Sequence, residues 1–247
     1  MEYLKFEDNE GIGVLTLNRP DKLNSFNTGY LAELDSFLDT VSCRVLVITG
    51  AGRAFCAGGD IQWEKEIGEL SAKETKLVMG DLQKLLLRLE NLPIPVIAAV
   101  NGHAVGGGSE LAMACDIRIA SKSAKFIHPE TNLGVVAPLG GTQRLPRLVG
   151  LGRAKLMLYT GMVVDADQAF EWGLVDMVAD DCVALALNIA KQIVDKPAKA
   201  LELTKKVINK NYSQDLVDKD ELDYYVHCSK TDENKNRLNA FLSKKQR

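Results

Sequence analysis

No apolar run in this 247-residue chain approaches the roughly 20 residues of a membrane span, so no membrane partner is expected. The N-terminal MEYLKFEDNEGIGVLTL is acidic and strand-like, where a secretion signal would be basic and then continuously apolar, and a mature, cytoplasmic chain is expected. Basic excess is also missing. Lys+Arg number 30 against Asp+Glu 33, for a formal net charge of -3, which leaves no positive field to hold a nucleic acid. The five cysteines, Cys43, Cys56, Cys115, Cys182 and Cys228, are odd in number, scattered and never paired as C-x-x-C. That pattern excludes a disulfide framework or zinc knuckle and fits a reducing compartment. The three histidines, His103, His128 and His227, show no H-E-x-x-H or comparable spacing, so no metal site is expected.

What remains is ordinary globular composition, 46% hydrophobic and 26% charged, in a chain long enough to build a core without disulfides or metal. Ile12 to Leu17 and Arg44 to Thr49 are short β-branched runs, and Leu31, Leu34, Phe37 and Leu38 recur between them at helical spacing, giving a β-α-β rhythm. A glycine-rich loop from Gly50 to Gly59 precedes an amphipathic stretch with Leu82, Leu85, Leu86 and Leu89. Pro95 to Val100 is a further apolar strand, followed by a second glycine-rich turn, Asn101 to Gly108, that opens a short helix through Ala114. Asp116 to Ala120 and Lys125 to Ile127 read as strands. After about Gly140 the strand signal fades, and 182–195, 197–209, 215–228 and 231–242 read as consecutive helices. The fold class is therefore α/β, with a core over 1–190 and a helical region over 191–247 that either packs on a neighbouring subunit or caps its own core.

Two loops stand out chemically: Arg53-Ala54-Phe55-Cys56-Ala57-Gly58-Gly59-Asp60 and Asn101-Gly102-His103-Ala104-Val105-Gly106-Gly107-Gly108-Ser109-Glu110. Glycine lets backbone approach a ligand without a Cβ, and two converging N–H donors make an oxyanion hole. On pattern alone the loops could equally be two tight turns. Gly50-Ala51-Gly52-Arg53-Ala54-Phe55 begins like a dinucleotide fingerprint but carries Phe55 where the third glycine belongs, and no P-loop Gly-Lys-Ser/Thr occurs. Gly107-Gly108-Ser109-Glu110-Leu111 fails as a nucleophile elbow at Leu111. Two carboxylates follow these loops: Glu110, in the first turn of the short helix, and Glu130, after Ile127-His128-Pro129. An acid in a first helical turn can simply complement the helix dipole, and an acid in a loop is ordinarily solvated. Both gain a catalytic meaning only if folding brings them to the glycine loops, where a carboxyl in apolar surroundings exchanges protons near neutrality.

The sequence resembles the enoyl-CoA hydratase/isomerase, or crotonase, family over nearly its whole length. The resemblance rests on Leu17-Asn18-Arg19-Pro20 with Leu23-Asn24, the loop Ala54 to Ile61, and Pro95 to Gly102. Gly106 to Asp116, Pro129-Glu130 with Leu133-Gly134, and Gly140-Gly141-Thr142-Gln143-Arg144-Leu145 complete it. It implies a crotonase-like ββα spiral core with C-terminal helices closing the site and supporting oligomerisation, and trimers that pair into hexamers. It also implies an acyl-CoA thioester as substrate, with coenzyme A entering as part of it and no separate cofactor. By position, the amides of Gly59 and Gly107 resemble the oxyanion donors, and Glu110 and Glu130 the acid/base pair of hydratases. Lys22, Ala57, Asp60, Ile61, Phe241 and Lys244 fall where the family touches coenzyme A, and the acyl pocket is expected around Trp63 and the Ser71 to Leu89 helix. The implied activity is reversible hydration of a 2-enoyl-CoA. An isomerase, a dehydratase of a branched or carrier-bound thioester, and a non-catalytic acyl-CoA-binding subunit are the alternatives. One departure is specific to this chain: Pro138 stands where hydratases carry a glycine whose N–H is expected to hold the catalytic water, and proline has no N–H.

Overall fold

The computed structural model describes residues 1–212 and 219–244. Within them ten strands and eleven helices, numbered here in chain order, build two sheets and their covering layers. β1 (Leu4–Asn9) and β2 (Ile12–Leu17) form an antiparallel hairpin, followed by α1 (Thr28–Thr40), whose N-cap Asn27 accepts the Tyr30 N–H at 2.8 Å. The chain then repeats one pattern. A longer strand enters the larger sheet, a three-residue strand enters the smaller, and helix or turn follows: β3 (Val45–Gly50), β4 (Ala54–Cys56), α2 (Ile61–Glu69) and α3 (Ala72–Glu90). The next turns run β5 (Val96–Val100), β6 (His103–Val105) and α4 (Gly107–Met113), then β7 (Ile117–Ser121), β8 (Lys125–Ile127), a 3-10 turn over Glu130–Leu133 and α5 (Gly141–Val149). α6 (Leu151–Thr160), β9 (Val163–Asp165), α7 (Ala166–Trp172) and β10 (Met177–Ala179) complete the sheets. The C-terminal helices are α8 (Cys182–Val194), α9 (Ala198–Tyr212), α10 (Lys219–Ser229) and α11 (Asp232–Lys244).

The larger sheet has the order β1-β2-β3-β5-β7-β10 and is parallel beyond the first hairpin; the smaller has the order β4-β6-β8-β9. This is the spiral of ββα turns that the resemblance implied. β3 is buried along its whole length because both faces of the sheet are covered, which is why it reads as a continuous apolar run and not an alternating one. Val45, Val47, Ile97, Ala99 and Ile119 pack under Ala186 and Ala190 of α8, while Leu46, Ile48, Ala98 and Val100 turn to the main core. α3 is started by a capping box, Ser71 with Glu74, and buries Leu82, Leu85, Leu86 and Leu89 on one stripe. Residue 190 falls within α8, whose Ala190 belongs to the core.

Four strands differ from the sequence reading. β4 and β6 lie inside what reads as loops, and β9 and β10 lie where strand signal fades. Each has three residues, too few to display a period of two, and each exists because a neighbouring strand pairs with it. The late helices fold over their own chain. The Lys205 ammonium meets Asp116 Oδ2 at 2.8 Å, the Tyr225 hydroxyl donates to Glu64 Oε2 at 3.1 Å, and Asn234 Nδ2 donates to the Leu133 carbonyl at 2.7 Å. The cysteines are free; Cys43, Cys56, Cys115 and Cys182 are buried, and burial pushes the Cys56 and Cys115 thiols up to about 12.

Candidate active site

The two glycine loops meet because β4 and β6 pair side by side, and Phe26 pairs with Gly59 of the first loop while its ring packs against Gly107 of the second. The Phe26 N–H donates to the Gly58 carbonyl at 2.7 Å, and the Asp60 N–H to the Phe26 carbonyl at 2.8 Å. Gly58 sits at φ +78°, where a Cβ would stand 2.6 Å from the Val105 carbonyl and 3.1 Å from the Gly107 nitrogen; only glycine lets the loops approach this closely. Asn24, fully buried, holds the first loop from below, its Nδ2 reaching the carbonyls of Ala51 at 2.9 Å and Ala54 at 2.8 Å.

Glu110 enters from the first turn of α4 and is fully buried. Its Oε1 accepts the backbone N–H of Leu139 at 2.9 Å and of Gly141 at 2.7 Å. The segment carrying these amides is braced on α3: Gln83 Nε2 donates to the Pro138 carbonyl at 2.6 Å, and Arg144 joins the Leu139 carbonyl at 2.8 Å to Glu90 at 2.7 Å. Pro138 brings no N–H, and the next amide, that of Leu139, is occupied by Glu110.

Glu130 opens the 3-10 turn after β8 and is 7% exposed. Its Oε1 lies 3.5 Å from Nδ1 of the buried His128 and close enough to Gly106 that a Cβ there would stand 3.5 Å away. Among the described residues neither the Glu130 oxygens nor the His128 ring nitrogens have a hydrogen-bond partner. Folding therefore brings Glu110, Glu130, Gly59 and Gly107 into one region.

A model of the enoyl-CoA hydratase/isomerase family matches residues 7–247. The chain belongs to that family. It is 40% identical over 255 residues to a crotonyl-CoA hydratase of Syntrophomonas wolfei, covering 99% of this chain and 96% of that one. Against a short-chain-enoyl-CoA hydratase of Clostridium acetobutylicum it is 39% identical, covering 95% and 92%. A solved enoyl-CoA hydratase/isomerase from Mycobacterium paratuberculosis superposes with a TM-score of 0.90 at 34% identity, covering 97% and 98%.

Of the residues that the family resemblance points to for coenzyme A, Ala57, Asp60 and Ile61 are contiguous with the Gly59 loop. The Ala57 N–H donates to the Leu23 carbonyl at 2.9 Å, and the Asp60 carboxylate caps α2 and pairs with Arg19 at 2.8 Å. Lys22 is exposed at the end of the 3-10 turn Pro20–Lys22. Phe241 is 39% exposed on α11, and the side chain of Lys244 lies outside the described residues. A cavity of about 700 Å³ lies between α1, α2 and α3, lined by Leu31, Trp63, Ile67, Leu82 and Leu85, in the region where the resemblance leads an acyl pocket to be expected. Among the described residues no His, Cys, Asp or Glu cluster is placed to hold a metal ion, and no helix is long and apolar enough to cross a membrane.

Two groups of this family member's site escape the sequence reading. Glu64, on α2, is partly buried; its Oε2 accepts the Tyr225 hydroxyl at 3.1 Å, and its Oε1 packs on the α-carbon of Gly59 so closely that a Cβ there would overlap it. Burial pushes the Glu64 carboxyl up to about 7; Glu130 adds to the rise and the Tyr225 hydrogen bond opposes it. Burial, followed by the charge of Glu64, holds the Tyr225 phenol well above its usual range, and Glu110 adds to that. In sequence Glu64 stands in Glu64-Lys65-Glu66, which reads as a solvated helix face, and only the inward Trp63 and Ile67 beside it mark that face as turned to the core.

Proposed function

We propose that the protein hydrates 2-enoyl-CoA thioesters reversibly to 3-hydroxyacyl-CoA, with Glu110 and Glu130 as the acid/base pair and the amides of Gly59 and Gly107 as the oxyanion hole. The observation that carries this reading is the Glu130 carboxylate, buried beside Gly106 with no hydrogen-bond partner among the described residues. A buried polar group in that state needs an explanation, and a proton to be exchanged with a ligand supplies one. Two backbone amides fix Glu110 through Oε1, which orients the carboxylate for activating water at Cβ, while Glu130 handles the proton at Cα. The glycine amides lower the barrier by holding the thioester oxygen as negative charge gathers on it. Carboxylates and amides carry every step, and coenzyme A enters as part of the substrate, held along Lys22, Ala57, Asp60, Ile61, Phe241 and Lys244.

Pro138 favours a second reading. With no N–H at 138 and the Leu139 amide on Glu110, proton transfer at carbon is better equipped than the placing of water, as an enoyl-CoA isomerase needs. Assays against a panel of 2-enoyl, 3-hydroxyacyl and 3-enoyl thioesters separate the two: hydration of a 2-enoyl-CoA supports the first reading, and double-bond migration without hydration replaces it.

Assembly as a homotrimer or a dimer of trimers is part of the proposal, supported by large apolar side chains left exposed along 151–170, Leu151, Tyr159, Val163 and Phe170, between 55% and 69% exposed. A cytoplasmic location is supported by free thiols.

A further inference from the structure

Glu64 is a titratable group that the acid/base pair does not use, yet it lies against the loop proposed to hold the thioester oxygen. Glu64 Oε1 overlaps the place where a Cβ on Gly59 would stand, so it sits one backbone bond along from the Gly59 nitrogen that is proposed to donate. Glu64 cannot be retracted easily, since Asp60 caps its helix, Trp63 Nε1 on the adjoining position donates to Thr28 Oγ1 at 3.1 Å, and Tyr225 from α10 holds Oε2. With Oε2 occupied as an acceptor, Oε1 is the oxygen left to carry a proton.

We infer that Glu64, as a neutral carboxylic acid, donates a third hydrogen bond to the thioester oxygen in the transition state, beside the amides of Gly59 and Gly107, with Tyr225 positioning it. This rests on the hydratase reading for the origin of the charge on that oxygen. The proton stays on Glu64 throughout, so the group stabilises charge without joining the proton transfers at carbon. A neutral donor helps a developing oxyanion, whereas an ionised carboxylate at the same place repels it.

The charged surroundings act in the required sense. Glu130 lies within its field and disfavours ionisation, Tyr225 favours it, and Glu110 acts on Tyr225. At the ends of α2, Asp60 is paired with Arg19, and the Lys230 ammonium sits on the carbonyls of Ile67 at 3.1 Å and Gly68 at 3.2 Å. His227, on α10, is exposed. Because the carboxyl titrates near 7, activity carried by its protonated form is full below that pH and falls as pH rises through it.

The test is steady-state kinetics on crotonyl-CoA from pH 5.5 to 9.5, together with the ultraviolet absorbance of enzyme-bound acetoacetyl-CoA, whose enolate reports oxyanion stabilisation without any hydration step. Glu64→Gln keeps a neutral donor and an acceptor for Tyr225; it should stay within about threefold of wild type at pH 7 and lose the alkaline fall. Glu64→Leu should lower kcat about 100-fold with little change in KM, the size of one lost oxyanion donor. It should also reduce the bound enolate. Tyr225→Phe removes a hydrogen bond that favours the ionised form, so its alkaline limb should move to higher pH. A Glu64→Leu enzyme with wild-type kcat and pH profile, or a Glu64→Gln enzyme that keeps the alkaline fall, overturns the assignment. If Glu64→Leu does not fold, the glutamine and phenylalanine profiles decide alone. A wild type that enolises bound acetoacetyl-CoA but hydrates no enoyl thioester refutes the hydratase reading instead, and the enolate signal of the variants still judges Glu64.

Discussion

Glu110 accepts two backbone N–H groups in a fully buried setting, so removing its charge and removing its oxygens are separable perturbations. Glu110→Gln keeps an oxygen for the Leu139 and Gly141 amides but cannot act as a base. Turnover should fall about 100-fold or more, as expected when a general acid/base is lost, and the melting temperature should stay within about 2 °C of wild type. Glu110→Ala loses the acceptor as well. Each stranded amide costs about 1–3 kcal/mol, and even the lower bound for two, about 2 kcal/mol, corresponds to a fall of about 4–8 °C for a chain of this size. Turnover with crotonyl-CoA and calorimetric melting on the same preparations give both numbers. Glutamine retaining more than a tenth of wild-type turnover refutes the catalytic role, and equal melting of the glutamine and alanine variants refutes the anchoring role.

Glu130→Gln should lower turnover about 100-fold or more with little change in the affinity for coenzyme A esters, measured by calorimetric titration; near wild-type turnover removes Glu130 from the chemistry. Pro138→Gly restores an N–H where water is to be held, and since one hydrogen bond corresponds to about 1–3 kcal/mol, crotonyl-CoA hydration should rise roughly 5- to 150-fold; an unchanged or slower variant means water is held elsewhere. Deleting Thr231 to Arg247 removes α11 and the Asn234 bond to Leu133, and should weaken coenzyme A ester binding and shift the oligomer to smaller species by light scattering. A monomeric wild type in the same measurement defeats the oligomer half of that expectation.

The parts of the fold legible in sequence are those whose burial leaves a period. β2, β3 and β5 sit between covered faces and α3 buries one leucine stripe, so each announces itself locally. β4, β6, β9 and β10 take their conformation from a partner strand, and their three residues carry no pattern of their own. The site divides the same way. Glu110 and Glu130 are legible as candidates because each adjoins a motif that carries the family resemblance. Glu64 is not readable, because what distinguishes it from Glu66 is a tyrosine 161 residues away. Pro138 was visible as an anomaly, but that the Leu139 amide is already committed to Glu110 is a fact of three dimensions.

The buried thiols make the molecule a gauge of its own opening. Alkylation needs a thiolate exposed to reagent, and Cys56 and Cys115 offer neither while folded, whereas Cys228 is half-buried. Cys56 lies in β4 with its Sγ donating to the Asn24 carbonyl at 3.1 Å, so it can react only when the first glycine loop lifts from Asn24. Cys115 lies at the junction of α4 and β7 and becomes accessible only when the spiral itself parts. The ratio of their labelling rates therefore separates breathing of the ligand loop from unfolding of the scaffold, and a bound thioester should slow the first far more than the second.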